Sequence, residues 1–216
     1  MTVKAAGPRT RGAGRPPLSE SHKARIRLEI ATAAVRLFAE HGVDGTSAAQ
    51  IAEAVGISPR TLWRYCASKE EAVAPLLAAG LDRLVDSLRR WPASRPLAEA
   101  ADDTDWFAGT SAVRLALTVE LMRIARVEPA INAVWTRSFA EAVDPVAAVL
   151  AARFGREPAG LRVKVQAAML MAAMHEGMRD YIWRPAGESG PSLEDTLRSA
   201  ARIAFAAIEE GPEKNM

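Results

Sequence analysis

Between Thr46 and Lys69 the sequence reads TSAAQIAEAVGISPRTLWRYCASK, and no other stretch restricts the possible folds so tightly. Ser47 and Gln50 stand at the spacing of a capping box, which opens a helix whose apolar side is Ala48, Ile51, Ala52 and Val55. Gly56 follows at once and supplies the left-handed backbone that ends a helix. Ser58 then offers a side-chain oxygen as the next N-cap, Pro59 suits a first helical position, and a second helix is expected over Arg60 to Tyr65. Two capped helices meeting at a glycine read as a helix-turn-helix.

Helices of about eight residues are too short to stand alone, so this pair needs a third element to pack on. Ile26, Ile30, Ala33, Ala34, Leu37 and Phe38 recur at helical spacing between Ser21 and His41 and supply it. On the second helix of the pair, Leu62 and Cys66 fall on one side and Arg60, Thr61 and Arg64 on another. The first set faces the core and the second is free to enter a DNA groove. Arg60 and Arg64 each carry the fork that fits guanine O6 and N7, and Thr61 suits a thymine methyl or a phosphate. Thr46, Ser47, Ser58, Trp63, Tyr65 and Lys69 each offer a hydrogen-bond donor and are expected at phosphates, where they would set register. Ser68 and Glu71 repeat the capping spacing, so a fourth helix is expected from Ser68 to about Arg90.

At this point the chain resembles the TetR family of bacterial repressors. The resemblance is carried by Leu37-Phe38-Ala39-Glu40-His41-Gly42, Thr46-Ser47, Ile51-Ala52, Gly56-Ile57-Ser58, Thr61-Leu62-Trp63-Arg64-Tyr65 and Ser68-Lys69-Glu70. It departs from the family pattern at Trp63, where tyrosine is usual, and at Cys66, where phenylalanine is usual. A cysteine fills less core volume, so altered packing is expected there. The resemblance implies a regulator that binds a palindromic operator in double-stranded DNA as a homodimer and is released by a small-molecule effector.

The 216 residues suffice for a small head and a larger second domain, and 49% hydrophobic residues exclude a wholly disordered chain. The net charge of +2 conceals a division. Residues 1–69 hold 11 Lys or Arg against 5 Asp or Glu, and the remainder 17 against 21. The positive field therefore lies with the head, as binding to a polyanion requires. One cysteine permits no internal disulfide, and no apolar run has the length of a membrane span, so a cytoplasmic protein without membrane contact is expected. Residues 1–18 are expected to be a basic arm, disordered when free. Within it, Gly14-Arg15-Pro16 resembles the core of an AT-hook, which would set Arg15 in a minor groove.

The chain is expected to be all-α, with a helix-turn-helix domain at 19–66, a helical effector-binding and dimerisation domain at 67–210 and a tail at 211–216. Beyond Trp91-Pro92, helices are expected near 97–107, 111–127, 129–154, 158–184 and 192–210. Ala167, Leu170, Met174, Gly177, Met178 and Tyr181 form one stripe, and Leu193, Leu197, Ala200, Ala201, Ala204 and Ile208 another. The resemblance assigns the corresponding helices to a dimer bundle. It also implies a ligand pocket, for which this region offers Trp106, Phe107, Met122, Trp135, Phe139, Met171, Met174, His175 and Met178. These bulky, adaptable groups suit a hydrophobic or aromatic effector. Glu120, Glu176 and Asp180 would favour a cationic ligand, Arg123 and Arg179 an acidic one, and the sequence does not choose.

An enzyme finds no support in the motifs. There is no His-Glu-x-x-His, Cys-x-x-Cys, Gly-x-Ser-x-Gly or phosphate-binding glycine loop, and His22, His41 and His175 are scattered. No cofactor or metal is expected.

Overall fold

The computed structural model describes residues 19–103, 107, 109–185 and 188–209, and among them the regular structure is entirely helical. Arg15 and the basic arm, Trp106 and the tail at 211–216 lie outside the described residues. Ten α-helices follow one another: α1 (Glu20–His41), α2 (Ala48–Val55), α3 (Pro59–Leu62), α4 (Ala74–Arg90), α5 (Leu97–Asp103), α6 (Ala112–Val127), α7 (Pro129–Glu141), α8 (Val143–Phe154), α9 (Leu161–Trp183) and α10 (Leu193–Glu209). Helices α1 to α3 form the head, with Ile30, Ala34, Phe38, Ile51, Ala52 and Leu62 buried at its centre. The head is joined to the body where α1 packs on α4 and α6.

Two expected helices are interrupted, each at a proline. The segment after Ser68 runs as a 3₁₀ turn over Glu71–Val73 before α4 begins at Ala74. Pro75 is compatible with a first helical turn but would clash with the Glu71 carbonyl inside a longer helix. The expected helix 129–154 breaks at Ala142 into α7 and α8 for the same reason, since Pro145 cannot donate to the carbonyl of Glu141. Of the helix expected over 97–107, α5 accounts for Leu97–Asp103, and 104–106 lie outside the described residues.

The two alanine-rich stripes meet each other within one chain. Ala167, Leu170, Met174 and Gly177 on α9 are buried, as are Leu197, Ala201, Ala204 and Ile208 on α10. A Cβ on Gly177 would stand 3.0 Å from the Ala200 Cβ, so the missing side chain sets the closest approach of the two helices. The stripes are thus the intrachain seam. The apolar groups that α9 and α10 leave exposed are others: Leu161, Val165 and Met169 on α9, and Ile203 on α10. At its far end α10 holds α5, where the Glu209 carboxylate accepts from the backbone N–H groups of Leu97 and Ala98.

Candidate DNA interface and ligand pocket

The head's reading edge is built from its caps. Ser47 and Gln50 complete the capping box in both directions, and Gly56 adopts φ 71°, ψ 30°. The Ile57 N–H donates to the Ala52 carbonyl at 2.9 Å, which closes α2 and aims the chain at α3. Ser58 accepts from the Thr61 N–H at 3.1 Å, and its hydroxyl lies 2.8 Å from that of Thr61. α3 is shorter than the sequence suggests. After Leu62 the chain tightens, with Arg64 and Tyr65 donating to carbonyls three residues back.

This geometry separates the candidates. Ser47, Ser58, Arg60, Trp63 and Arg64 are exposed along one edge, and Thr61 is half-buried beside them. Neither Arg60 nor Arg64 has a side-chain partner among the described residues. Tyr65 is half-buried and turns into the groove between α1 and α4, next to Cys66 and Leu28.

The Thr46 and Lys69 side chains bond within the protein. Thr46 is 1% exposed, and its hydroxyl lies within hydrogen-bonding distance of the carbonyls of Gly42 (2.8 Å) and Leu37 (3.1 Å), so it locks the end of α1. The Lys69 ammonium donates to the carbonyls of Val43 at 2.6 Å and Thr46 at 3.0 Å. It ties the turn before α4 to the loop between α1 and α2. The Glu71 backbone N–H donates to Ser68 Oγ at 3.1 Å, and the Glu71 carboxylate pairs with Arg137 of α7. The junction between head and body is therefore fastened on both sides.

Cys66 occupies the site where a larger group was expected. Its Sγ lies 3.6 Å from the Leu62 carbonyl, and burial, with the Glu71 charge nearby, pushes its pKa up. It borders an open groove lined by residues of α1, α4 and α7.

The body contains a partly open pocket of about 70 Å³. Leu77, Leu81 and Leu84 of α4 form one wall, and Phe107, Met122, Phe139, Met174 and Met178 contribute to the others. Five of the expected ligand residues are thus brought together. Three are not: Trp135 (0% exposed), Met171 (2%) and His175 pack behind the pocket. There the Trp135 ring stacks on Trp183 at 5.7 Å and meets His175 at 4.8 Å. Packing of Trp135 against His175 and Trp183 holds these rings away from the cavity.

The pocket's polar groups come from positions not singled out in the sequence. Arg83 of α4 and Thr110 both line it, and Arg83 Nε and Thr110 Oγ1 are buried without a hydrogen-bond partner among the described residues. Burial lowers the Arg83 pKa, and the neighbouring Arg114 charge lowers it further. Among the described residues no carboxylate lines the cavity. Glu120 pairs with Arg123 and Glu176 with Arg179, all four outside the pocket. Asp180 pairs with Arg184, also outside it. Among the described residues no group of His, Cys, Asp and Glu could hold a metal ion, and no helix is long and apolar enough to cross a membrane.

A capped three-helix head with an exposed basic edge, set on a helical body, defines a helix-turn-helix transcriptional regulator. Residues 30–74 match the model for bacterial regulatory proteins of the tetR family, and residues 104–204 match that for the MftR C-terminal domain. The chain belongs to the TetR family, whose members are DNA-binding transcription factors and not enzymes. It is 31% identical over 147 residues to the HTH-type transcriptional regulator TcmR of Streptomyces glaucescens, an alignment covering 65% of each protein. It is 27% identical over 152 residues to the HTH-type transcriptional repressor Rv1474c of Mycobacterium tuberculosis, covering 69% of this chain and 75% of that one. The fold is similar to that of Salmonella enterica GusR, with a TM-score of 0.52, 23% identity, and coverage of 88% of this chain and 98% of the other.

Proposed function

We propose that this regulator represses transcription by binding a palindromic operator as a homodimer and is released when an apolar effector enters the pocket of the body. The observation that carries the DNA reading is the exposed edge formed by α3 and the turn after it, where Arg60 and Arg64 stand without internal partners. Each matches a guanine edge, while Ser47, Ser58 and Trp63 suit the flanking phosphates. The two-fold arrangement is supported by the outward Leu161, Val165, Met169 and Ile203, which have nothing to cover them in one chain. A two-fold pair would set its reading helices about one DNA turn, roughly 34 Å, apart.

The pocket supports a release mechanism through its size. At about 70 Å³ it is far smaller than the roughly 150 Å³ cavity known to hold benzene, so an effector of ring size must push the walls apart. One of those walls is α4, and the turn leading into α4 is bonded to the head by Lys69. The effector therefore selects a displaced α4 and with it a displaced head. A hundredfold preference for that state corresponds to roughly 2.7 kcal/mol of coupling.

The test is a gel shift against the DNA flanking the gene, with wild type, Arg60→Ala and Arg64→Ala. A specific, salt-sensitive complex on an inverted repeat is expected, and each variant should lose about 1–3 kcal/mol on that site while keeping its affinity for random DNA. Equal losses on both DNAs would overturn the assignment of these arginines to base reading.

A further inference from the structure

We infer that the effector is a small, largely apolar carboxylic acid, bound with its carboxylate on the Arg83 guanidinium and the Thr110 hydroxyl. The inference rests on the ligand reading above and narrows it to one chemical class. The cavity wall is apolar apart from a few groups, and of these Thr118 already has its hydroxyl 2.9 Å from the Arg114 carbonyl. Arg83 and Thr110 are different, since each holds a buried polar atom with nothing to bond to. A buried donor left unpaired carries its full desolvation cost until a partner arrives.

The sign of the missing partner follows from the charges. Arg83 is the only charged residue lining the pocket among the described residues, and the charge that it feels most from the body is the positive one of Arg114. Its own neighbour Asp82 faces away from the cavity wall. A cationic ligand would be repelled by Arg83, whereas an anion would pair with the unpartnered Nε and offset the repulsion that Arg83 feels from Arg114. A neutral ligand would fill the apolar part and leave the guanidinium as it is. The planar fork of arginine also matches a carboxylate in shape, with two parallel N–H donors for two oxygens.

The surroundings leave room for such a pairing. The Arg83 Nη2 lies 3.8 Å from where a Cβ on Gly80 would stand, so the guanidinium is laid along α4 over a residue without a side chain. The remaining wall is set by Leu81, Leu84, Met122 and Met174, adaptable apolar side chains that can part to admit a ring or short branched chain. The charged contact falls on α4 itself. An acid that draws Arg83 toward it therefore acts on the helix that carries the head.

The closing experiment titrates the full-length protein at pH 7 with benzoate, benzamide and benzylamine, which share one ring and differ in charge, and follows binding by calorimetry. Benzoate is expected to bind at least tenfold more tightly than benzamide, and benzylamine more weakly than either. Arg83→Gln should bring benzoate down to the benzamide level and leave benzamide unchanged, and Thr110→Val should weaken benzoate alone by a smaller factor. Benzamide binding as well as benzoate in the wild type would overturn the acid inference while leaving the pocket as a ligand site. An undiminished preference for benzoate in Arg83→Gln would overturn the role of Arg83. Failure of all three compounds to bind would refute the ligand reading itself, and the inference with it.

Discussion

Lys69 offers the sharpest contrast between a DNA contact and a structural tie. Its ammonium makes two hydrogen bonds to carbonyls of the loop between α1 and α2, at 2.6 Å and 3.0 Å, while its side chain stays 23% exposed. Hydrogen bonds to a charged group contribute about 1.5–3 kcal/mol each. Water reaches part of this site and recovers some of the loss, and the 3.9 Å pair with Glu70 adds little at such separation. Lys69→Met, which keeps the length and removes the charge, should therefore cost about 2 kcal/mol. For a chain of this size that lowers Tm by roughly 4–8 °C, measured by circular dichroism at 222 nm. The same variant should keep the slope of log K against log salt in operator binding, measured well below its Tm. A phosphate contact behaves in the opposite way: the slope falls by about 0.9 and Tm does not move. That pair of results would refute the structural role.

Three other perturbations bear on separate parts of the molecule. Val165→Glu combined with Ile203→Asp should turn a dimer into a monomer in analytical ultracentrifugation, and retention of the dimer would place the interface elsewhere. Cys66, with its pKa raised, should react with iodoacetamide more slowly than free cysteine at pH 7.5 and accelerate at higher pH; a rate equal to that of free cysteine would contradict its environment. Asp195 has its pKa lowered by the Ser192 hydroxyl that caps α10. Its contribution is present above the ordinary carboxylate pKa and lost as pH falls through the depressed value, so Asp195→Asn should lower Tm at pH 7 and have no effect in strong acid. A difference that persists unchanged at low pH would show that the carboxylate charge is not what holds the cap.

The head was legible because its instructions are local. Ser47, Gly56 and Ser58 each act on backbone within a few residues, so their spacing alone places two helices and the turn between them. What sequence could not show depends on contacts far along the chain. Lys69 reaches back 26 residues to Val43, and nothing in its neighbours distinguishes that lysine from a surface one. Arg83 stands on an amphipathic helix with Arg89 and Arg90, and only the three-dimensional meeting of α4 with the 107–110 turn makes it a pocket residue. The alanine stripes show a further ambiguity, since a seam inside one chain and an interface between two chains share the same periodicity. Pro75 and Pro145, by contrast, are breakers visible in the sequence, set inside apolar runs whose helical spacing continues on both sides of them.

The apolar groups that α9 turns outward have a consequence for how the protein behaves as its amount changes. Leu161, Val165 and Met169 lie opposite the seam with α10, so α9 is hydrophobic on two sides, and pairing with a second chain would complete its burial. The stability of such a protein is inseparable from its concentration, each tenfold dilution of subunits removing about 1.4 kcal/mol from the assembled state. For the dimeric repressor proposed above, operator occupancy would then depend on copy number as well as on effector.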